Sequence, residues 1–141
     1  MQRSLPIRLG ASITIGDIFL VELLTYCRRT RPDWSILSAI HNTEELEQFL
    51  IEDKLDLALV EGRVQSPYLV SRPILTDYLT LIASPDSEWS RKAITAPQDL
   101  DGLPVFVREQ GSGTRDLFER VLEAHHLTCQ VVGVYNNSEA I

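Results

Sequence analysis

The sequence predicts an α/β protein built on parallel sheets, and two observations support this prediction. Short apolar segments typical of strands alternate with longer segments whose apolar residues recur every three or four positions, as they do in helices. This alternation runs strand–helix–strand–helix–strand through residues 7–62 and begins again at Leu103. Such an order implies right-handed crossovers and parallel strands. We therefore expect two α/β lobes, residues 1–84 and 85–141, of which the second has two clear strands and is incomplete.

In the first lobe we expect three strands and two helices. The strands are predicted at residues 7–10, 34–40 and 56–60, and the third is apolar enough for the middle of a parallel sheet. A loop of small and hydroxyl-bearing residues at 11–16 leads to a helix that begins near Asp17. The apolar stripe of this helix consists of Leu20, Leu23, Leu24 and Cys27. The second helix has Asn42 as its N-cap, with Glu45 completing a capping box.

The rest of the chain crosses from the first lobe to the second. Two more strands are predicted at residues 69–74 and 78–83, followed by a polar stretch and a helical turn at 97–100. The second lobe then repeats the strand–helix–strand pattern. Its predicted strand, helix and strand are residues 105–107, 115–126 and 129–134.

Composition and charge indicate a folded domain that does not bind nucleic acid by itself. Hydrophobic residues make up 44% of the chain and charged residues 23%, which is usual for a globular protein. The formal net charge is −7, and an acidic chain repels phosphate backbones. We find no apolar run of membrane-spanning length and no signal-peptide pattern, and we read Cys27 and Cys129 as buried free thiols. These observations favour a cytoplasmic protein that does not contact the membrane.

A glycine-bracketed turn stands between the first strand and the helix of the second lobe. It contains Gly111-Ser112-Gly113-Thr114, flanked by Arg108 and Arg115. A turn of this kind directs backbone N–H groups and the positive end of a helix toward one point, which suits phosphate, sulfate or a carboxylate. The alternative is that Ser112 or Thr114 caps the helix and the glycines make the turn.

Five segments, in this order and across nearly the whole chain, resemble the effector-binding domain of LysR-type transcriptional regulators. They are Ile7-Arg8-Leu9-Gly10-Ala11-Ser12, Asn42-Thr43-Glu44-Glu45, Leu55-Asp56-Leu57-Ala58-Leu59-Val60-Glu61-Gly62, Arg108-Glu109-Gln110-Gly111-Ser112-Gly113-Thr114-Arg115 and Asn137-Ser138-Glu139-Ala140-Ile141. The resemblance implies two Rossmann-like lobes around a cleft, as in type 2 periplasmic binding proteins. It also implies a domain that continues beyond Ile141 and a DNA-binding helix-turn-helix that precedes it.

The resemblance further implies a binding site for a small anionic metabolite or an inorganic anion at the strand ends of both lobes. The residues that match this site are Ser12, Ile13, Thr14, Asn42, Thr43, Glu61, Gly62, Arg108, Ser112, Gly113 and Thr114. Purely structural roles for these residues remain alternatives to ligand binding. Ser12 or Asn42 can cap a helix, Glu61 can be a solvated strand end or hold the turn of the other lobe, and arginines often point to solvent.

Three other classes of function are weighed against a ligand sensor. An enzyme is disfavoured because Ser112 lacks the glycine spacing of a nucleophile elbow and Gly113 is not followed by the Lys-Ser/Thr of a phosphate loop. We expect no catalytic residues, no cofactor and no metal, since the histidines lack partners at ligand spacing. A solute-binding transport component shares the fold, and an oligomerisation module is the third alternative. The family pairs first-lobe helices between subunits, which implies a homodimer or tetramer through residues 17–31 and 42–53.

Overall fold

The computed structural model describes residues 5–92 and 94–139, and its strands form two parallel sheets. The elements of the first sheet region are β1 (Ile7–Ala11), α1 (Ile13–Ile15), a π-helical turn (Gly16–Leu20), α2 (Val21–Thr30), β2 (Ile36–Ile40), α3 (Thr43–Ile51) and β3 (Leu57–Leu59). Those of the second are 3₁₀ helices at Glu88–Arg91 and Pro97–Leu100, then β4 (Pro104–Arg108), α4 (Gly113–Ala124) and β5 (Gln130–Tyr135). The alternating order and the parallel strands agree with the sequence prediction.

The first sheet has β1 in its centre, with β2 and β3 parallel on either side. Gly10 of β1 lies opposite Ala39 of β2 and Ala58 of β3. The prediction that residues 56–60 form a middle strand is therefore wrong for the described chain, in which β3 pairs with β1 alone. Leu57 is 50% exposed, whereas Leu9 and Ala11 of the central strand are buried.

The first helix begins earlier than the sequence predicts. The predicted loop at residues 11–16 is wrong, because β1 continues through Ala11 and helical backbone starts at Ile13. Ser12 has the extended backbone of an N-cap, and the Gly16 N–H donates to its carbonyl oxygen at 2.7 Å. The helix then passes through one π-helical turn into α2. Three residues of its predicted apolar stripe are confirmed, since Leu20 is buried against Leu9 and Ala11, and Leu23 and Leu24 pack beside them. Cys27 is not among the residues of this cluster, and the free thiols Cys27 and Cys129 are half-buried, where the sequence predicted buried ones.

The chain from residue 60 to residue 87 contains neither helix nor strand. The two strands predicted at 69–74 and 78–83 are therefore wrong. Their apolar side chains are largely exposed: Val70 and Tyr78, for example, retain 101% and 84% of full accessibility. A strand requires a neighbouring strand to pair its backbone groups, and none lies beside this segment in the part of the chain that the structure describes.

The second sheet consists of β4 and β5, parallel and with an irregularity between Val105 and Phe106. Its core comprises Leu100, Leu103, Val105 and Val107, covered by Trp89, Phe118, Leu122, Leu127 and Cys129. The helical turn at Pro97–Leu100 is confirmed, whereas the 3₁₀ helix at Glu88–Arg91 lies in the polar stretch, for which the sequence predicts no helix or strand. Helix α4 begins at Gly113 and ends at Ala124, two residues before each predicted limit.

Candidate ligand site between the two sheets

The glycine-rich turn before α4 packs directly against the first sheet region. The Glu44 N–H, at the start of α3, donates to the carbonyl oxygen of Gly111 at 3.1 Å. A Cβ on Gly113 would lie only 2.1 Å from the Glu61 carbonyl oxygen, so no larger residue fits there without movement. Gly62 has a φ of +84°, and a Cβ on it would lie 3.1 Å from the backbone of Gly113. The turn, the end of β3 and the start of α3 thus meet at one place.

Glu61 joins the hydroxyl-bearing turns of the two sheet regions. Ser12 Oγ donates to Glu61 Oε2 at 2.6 Å, and Thr114 Oγ1 donates to Glu61 Oε1 at 3.0 Å. Ser12 is 2% exposed, so the first of these bonds is shielded from water. Of the roles considered for Glu61, the structure therefore shows a carboxylate that holds the turn before α4, through Thr114, to Ser12 at the end of β1.

Three other hydroxyls among the predicted site residues are buried and make no hydrogen bond within the described chain. They are Thr14 Oγ1, Thr43 Oγ1 and Ser112 Oγ. All three belong to the predicted site, and Thr43 and Ser112 are only 5% and 4% exposed. Leaving a buried polar group without a partner costs about 1–3 kcal/mol, so such groups normally find a partner in protein, water or ligand. These atoms are the strongest geometric indication of a ligand site in the described structure.

The cap positions of α3 and α4 behave differently. Asn42 Oδ1 accepts from the Glu45 N–H at 3.0 Å, and Glu45 Oε2 accepts from the Asn42 N–H at 3.2 Å, so the predicted capping box is confirmed. Ser112 occupies the N-cap of α4, but its side chain makes no capping bond. Simple helix capping therefore accounts for Asn42 and does not account for the Ser112 hydroxyl.

Both arginines that flank the turn donate hydrogen bonds to other residues of the protein. The Arg108 side chain is 2% exposed, donates through Nε and Nη2 to the Glu109 carboxylate, and reaches Ser138 Oγ through Nη1. Arg115 donates to Glu119 and to the Arg108 carbonyl oxygen. Ile13, the first residue of α1, has no polar side-chain atom with which to orient a ligand. A ligand role for Arg108 and Ile13 stays a prediction.

A polar groove of about 460 Å³ separates α3 from α4. Thr43 and Ser112 both line it, as do charged residues of both signs. These charged residues are Glu44, Glu47, Arg63, Arg115, Asp116, Glu119, Arg120 and Glu123. Glu47 is 8% exposed, and its carboxylate accepts the backbone N–H groups of Gln65 and Ser66. The sequence alone does not single out Glu47, because Glu47 is one of several acidic residues on α3.

Two parallel α/β units whose strand-end turns meet at a cluster of buried hydroxyls define the class of bilobal ligand-binding domains. The LysR substrate binding domain family matches residues 2–141, and the chain belongs to that family. It is thus a ligand-binding regulatory domain of the LysR-type transcriptional regulators. The type 2 periplasmic-binding-protein-like fold predicted from the resemblance is confirmed.

Among curated relatives, the chain is 33% identical over 135 residues to the uncharacterized HTH-type transcriptional regulator YeiE of Escherichia coli strain K12. This match covers 96% of the chain and 46% of the relative. The HTH-type transcriptional regulator CysL of Bacillus subtilis strain 168 is 28% identical over 121 residues, with 86% and 40% covered. The chain therefore spans less than half the length of these two relatives.

Solved structures of the same fold include two regulatory domains. The CcmR regulatory domain of Synechocystis PCC6803 in complex with 2-PG matches with a TM-score of 0.71 and 23% identity, over 96% of this chain and 64% of that one. The effector binding domain of QuiR in complex with shikimate matches with a TM-score of 0.83 and 18% identity, over 96% and 66%. At these identities the likeness establishes the fold alone.

Proposed function

We propose that this domain senses a small anionic metabolite or an inorganic anion bound between its two lobes, residues 1–84 and 85–141. The observation that carries the proposal is the group of three buried hydroxyls without partners, at Thr14, Thr43 and Ser112. Two of them belong to the first lobe and one to the second, so a ligand that satisfied them would contact both.

The chemistry around these hydroxyls suits an acidic group. A hydroxyl can donate its proton to a carboxylate, phosphate or sulfate oxygen. The first turns of α3 and α4 add the positive ends of two helices of nine and twelve residues. The ligands named for similar regulatory domains, 2-PG and shikimate, and the sulfate of a sulfate-bound OxyR2 mutant domain, support a small ligand of this kind.

Regulation requires that the ligand distinguish two arrangements of the lobes. A ligand that binds both arrangements equally shifts neither population, however tightly it binds. The turn of one lobe touches α3 and the end of β3 in the other lobe. A small ligand that binds beside this contact therefore alters the angle between the two lobes. We propose that this change controls DNA binding through an N-terminal helix-turn-helix, since a chain of net charge −7 is itself repelled by DNA. The protein then acts in the cytoplasm, without catalysis.

We also propose that the domain forms a homodimer or tetramer through its first lobe. Large apolar side chains on the π-helical turn and on α2 are exposed, among them Ile18 at 76%, Val21 at 74% and Tyr26 at 66%. The neighbouring β2 is an edge strand, and its Leu37 is 60% exposed. An apolar helix face beside an unpaired strand edge is the kind of surface that a second copy covers. The predicted contribution of residues 42–53 belongs to the same proposal.

A thermal-shift screen of small acids against the full-length protein tests the ligand site. Acids that raise the melting temperature of the wild type are expected to lose most of that effect with Thr43→Val, which keeps the shape and removes the hydroxyl. Thr43→Ser retains the hydroxyl and is the matched control. Full retention of the shift by Thr43→Val, for every stabilising acid, would contradict the proposed site. Reading the coding frame upstream for a winged helix-turn-helix tests the regulatory role separately.

A further inference from the structure

We propose that Arg63 is the cation that pairs with an anionic ligand in the groove between α3 and α4. The inference rests on the proposed function and adds to the same site a residue that the sequence does not predict there. Thr43 and Ser112 line this groove, are 5% and 4% exposed, and have hydroxyls without a partner in the described chain. Hydroxyls can donate to an anion but cannot balance its charge. A bound anion therefore requires a positive group in the same groove.

The charges that line the groove single out Arg63 as this positive group. Of the eight charged residues on its walls, five are acidic and three are arginines. Arg115 donates to the Glu119 carboxylate at 2.7 Å. Arg120 donates to the Asp116 carboxylate at 2.8 Å. Arg63 makes no hydrogen bond or ion pair with any residue that the structure describes, so its charge is free to meet a ligand.

The backbone places Arg63 close to the two hydroxyls. A Cβ on Gly62 would lie 3.1 Å from the backbone of Gly113, the residue that follows Ser112. A Cβ on Gly113 would in turn lie 3.0 Å from Thr43 Oγ1. Arg63 is the next residue after Gly62, and consecutive Cα atoms are about 3.8 Å apart. The long side chain of an arginine can therefore bring its guanidinium to an anion that the hydroxyls bind.

The chain that follows Arg63 is fixed to both walls of the groove. The backbone N–H groups of Gln65 and Ser66 donate to the buried carboxylate of Glu47 on α3, with a shortest distance of 2.9 Å. The Gln65 side-chain amide reaches Asp116 Oδ1 on α4 at 3.4 Å. Arg63 thus belongs to a short segment held at Gly62 and again at Gln65. A residue on an anchored segment loses less conformational freedom when it binds a ligand, and so binds it more tightly.

The three groups together define the class of ligand. A guanidinium presents planar N–H donors that match two oxygens of a carboxylate or a phosphate. Ser112 and Thr43 add two hydroxyl donors to the remaining oxygens. The ligand is therefore an anion that fits a groove of about 460 Å³ and accepts hydrogen bonds from all three side chains. Because Arg63 belongs to the first lobe and Ser112 to the second, such an anion links the two lobes.

Calorimetric titration of the full-length protein with inorganic phosphate tests the role of Arg63. Arg63→Gln should weaken phosphate binding about tenfold, the effect of one hydrogen-bonding partner that carries charge. Arg63→Lys keeps the charge and should recover part of the affinity. Added salt should weaken phosphate binding more steeply in the wild type than in Arg63→Gln, because the variant lacks the ion pair. Arg63 is exposed, so neither variant should lower the melting temperature of the unliganded protein.

Arg72→Gln is the matched control, because it removes the same charge from an exposed arginine that does not line the groove. It should leave the phosphate affinity and its salt dependence unchanged. Equal losses of affinity in Arg63→Gln and Arg72→Gln would overturn the inference, since they would reflect net charge alone.

Two further outcomes separate this inference from the proposed function. Unchanged phosphate affinity in Arg63→Gln together with weakened binding in Thr43→Val would overturn the role of Arg63 and leave the proposed ligand site intact. Unchanged affinity in both variants would remove the site and the inference together. Failure of phosphate to bind the wild type would likewise overturn the role of Arg63, while the screen of small acids would still decide on the ligand site.

Discussion

At the residue scale, Ser112 has an unusual place, since it stands at the N-cap of a helix without capping it. Its hydroxyl is buried and makes no hydrogen bond within the described residues, while nearby Asn42 caps α3 in full. Sequence patterns identify both as cap residues and cannot separate them, because the difference lies in how the side chains are turned in the folded chain. The structure therefore gives Ser112 a role that helix chemistry alone does not require.

Ser112→Ala should weaken ligand binding without lowering the stability of the unliganded protein. Replacing an N-cap serine that makes its bond costs about 0.5–2 kcal/mol, but here there is no such bond to lose. Relief of an unpaired buried oxygen should leave the free energy of unfolding unchanged or raised by up to about 1 kcal/mol.

Urea denaturation measures this difference, and calorimetry with phosphate measures the affinity. Ser87→Ala is the control, because Ser87 is an N-cap whose Oγ does accept the Ser90 N–H. It should lose stability and retain affinity. A Ser112→Ala protein that is clearly less stable and binds phosphate normally would assign Ser112 to capping after all.

At the element scale, Arg8 connects the central strand β1 to the segment that enters β3. Its guanidinium contacts Asp56 Oδ1 at 2.7 Å and Asp53 Oδ1 at 2.8 Å, and its backbone N–H donates to Asp56 Oδ2. The side-chain hydrogen bond from Arg8, reinforced by the backbone one, lowers the pKa of Asp56 from 3.8 to about 2. The same two carboxylates raise the pKa of Arg8, which stays charged.

This contact should make stability depend on pH in the acid range. Because the folded-state pKa of Asp56 lies below its unfolded value, its contribution is complete above about pH 4 and is lost as the pH falls toward 2. Urea midpoints of the wild type and Asp56→Asn should therefore converge over that interval. Arg8→Gln should make the difference smaller, since it removes the cation and leaves only the backbone N–H as a donor to Asp56. A constant difference between the two proteins from pH 5 to pH 2 would show that Arg8 does not hold this carboxylate.

The contact between the turn and the end of β3 depends on the absence of a side chain at Gly113. Gly113→Ala places a Cβ within 2.1 Å of the Glu61 carbonyl oxygen, so turn and strand must separate. Overpacking of this kind costs about 1–3 kcal/mol. The Glu44 amide, which donates to Gly111 in the same contact, should lose protection from hydrogen exchange.

Gly102→Ala provides the comparison for Gly113→Ala. Gly102 has a φ of +72° and no atom within 4 Å of an added Cβ. The substitution therefore costs about 1 kcal/mol of backbone strain and no steric clash. It should leave exchange at Glu44 unchanged. Equal protection of the Glu44 amide in Gly113→Ala and the wild type would contradict the close approach.

The helices and strands also show which parts of the fold can be predicted from the sequence. Helical spacing and short apolar segments are enough to predict the strand–helix–strand units with parallel strands. Each unit is a local sequence pattern, and its two strands pair through a right-handed crossover. The same reasoning fails at residues 69–83, where apolar alternation suggests strands but cannot supply the neighbour that a strand needs. The Glu61 bridge depends on residues 49 and 53 positions away, so no local pattern could have chosen its partners.

At the scale of the whole molecule, the exposed apolar face of the π-helical turn and α2 is the proposed contact between copies of this chain. Ile18→Asp and Val21→Asp place charge at two of its most exposed apolar positions, at 76% and 74%. Sedimentation velocity should show the wild type as a dimer or tetramer and both variants as smaller species. Val121→Asp, at a 40% exposed valine of α4, should leave the assembly intact. A wild type that stays monomeric at all concentrations, or variants that assemble normally, would contradict the proposed interface.

A crystal structure of the phosphate complex tests the central claim, that buried hydroxyls of both lobes converge on one small ligand, most directly. The account predicts phosphate oxygens at hydrogen-bonding distance, about 2.5–3.0 Å, from Thr43 Oγ1 and Ser112 Oγ. Phosphate bound elsewhere, at a concentration that saturates the protein in solution, would contradict it. So would a complex in which both hydroxyls remain without a partner.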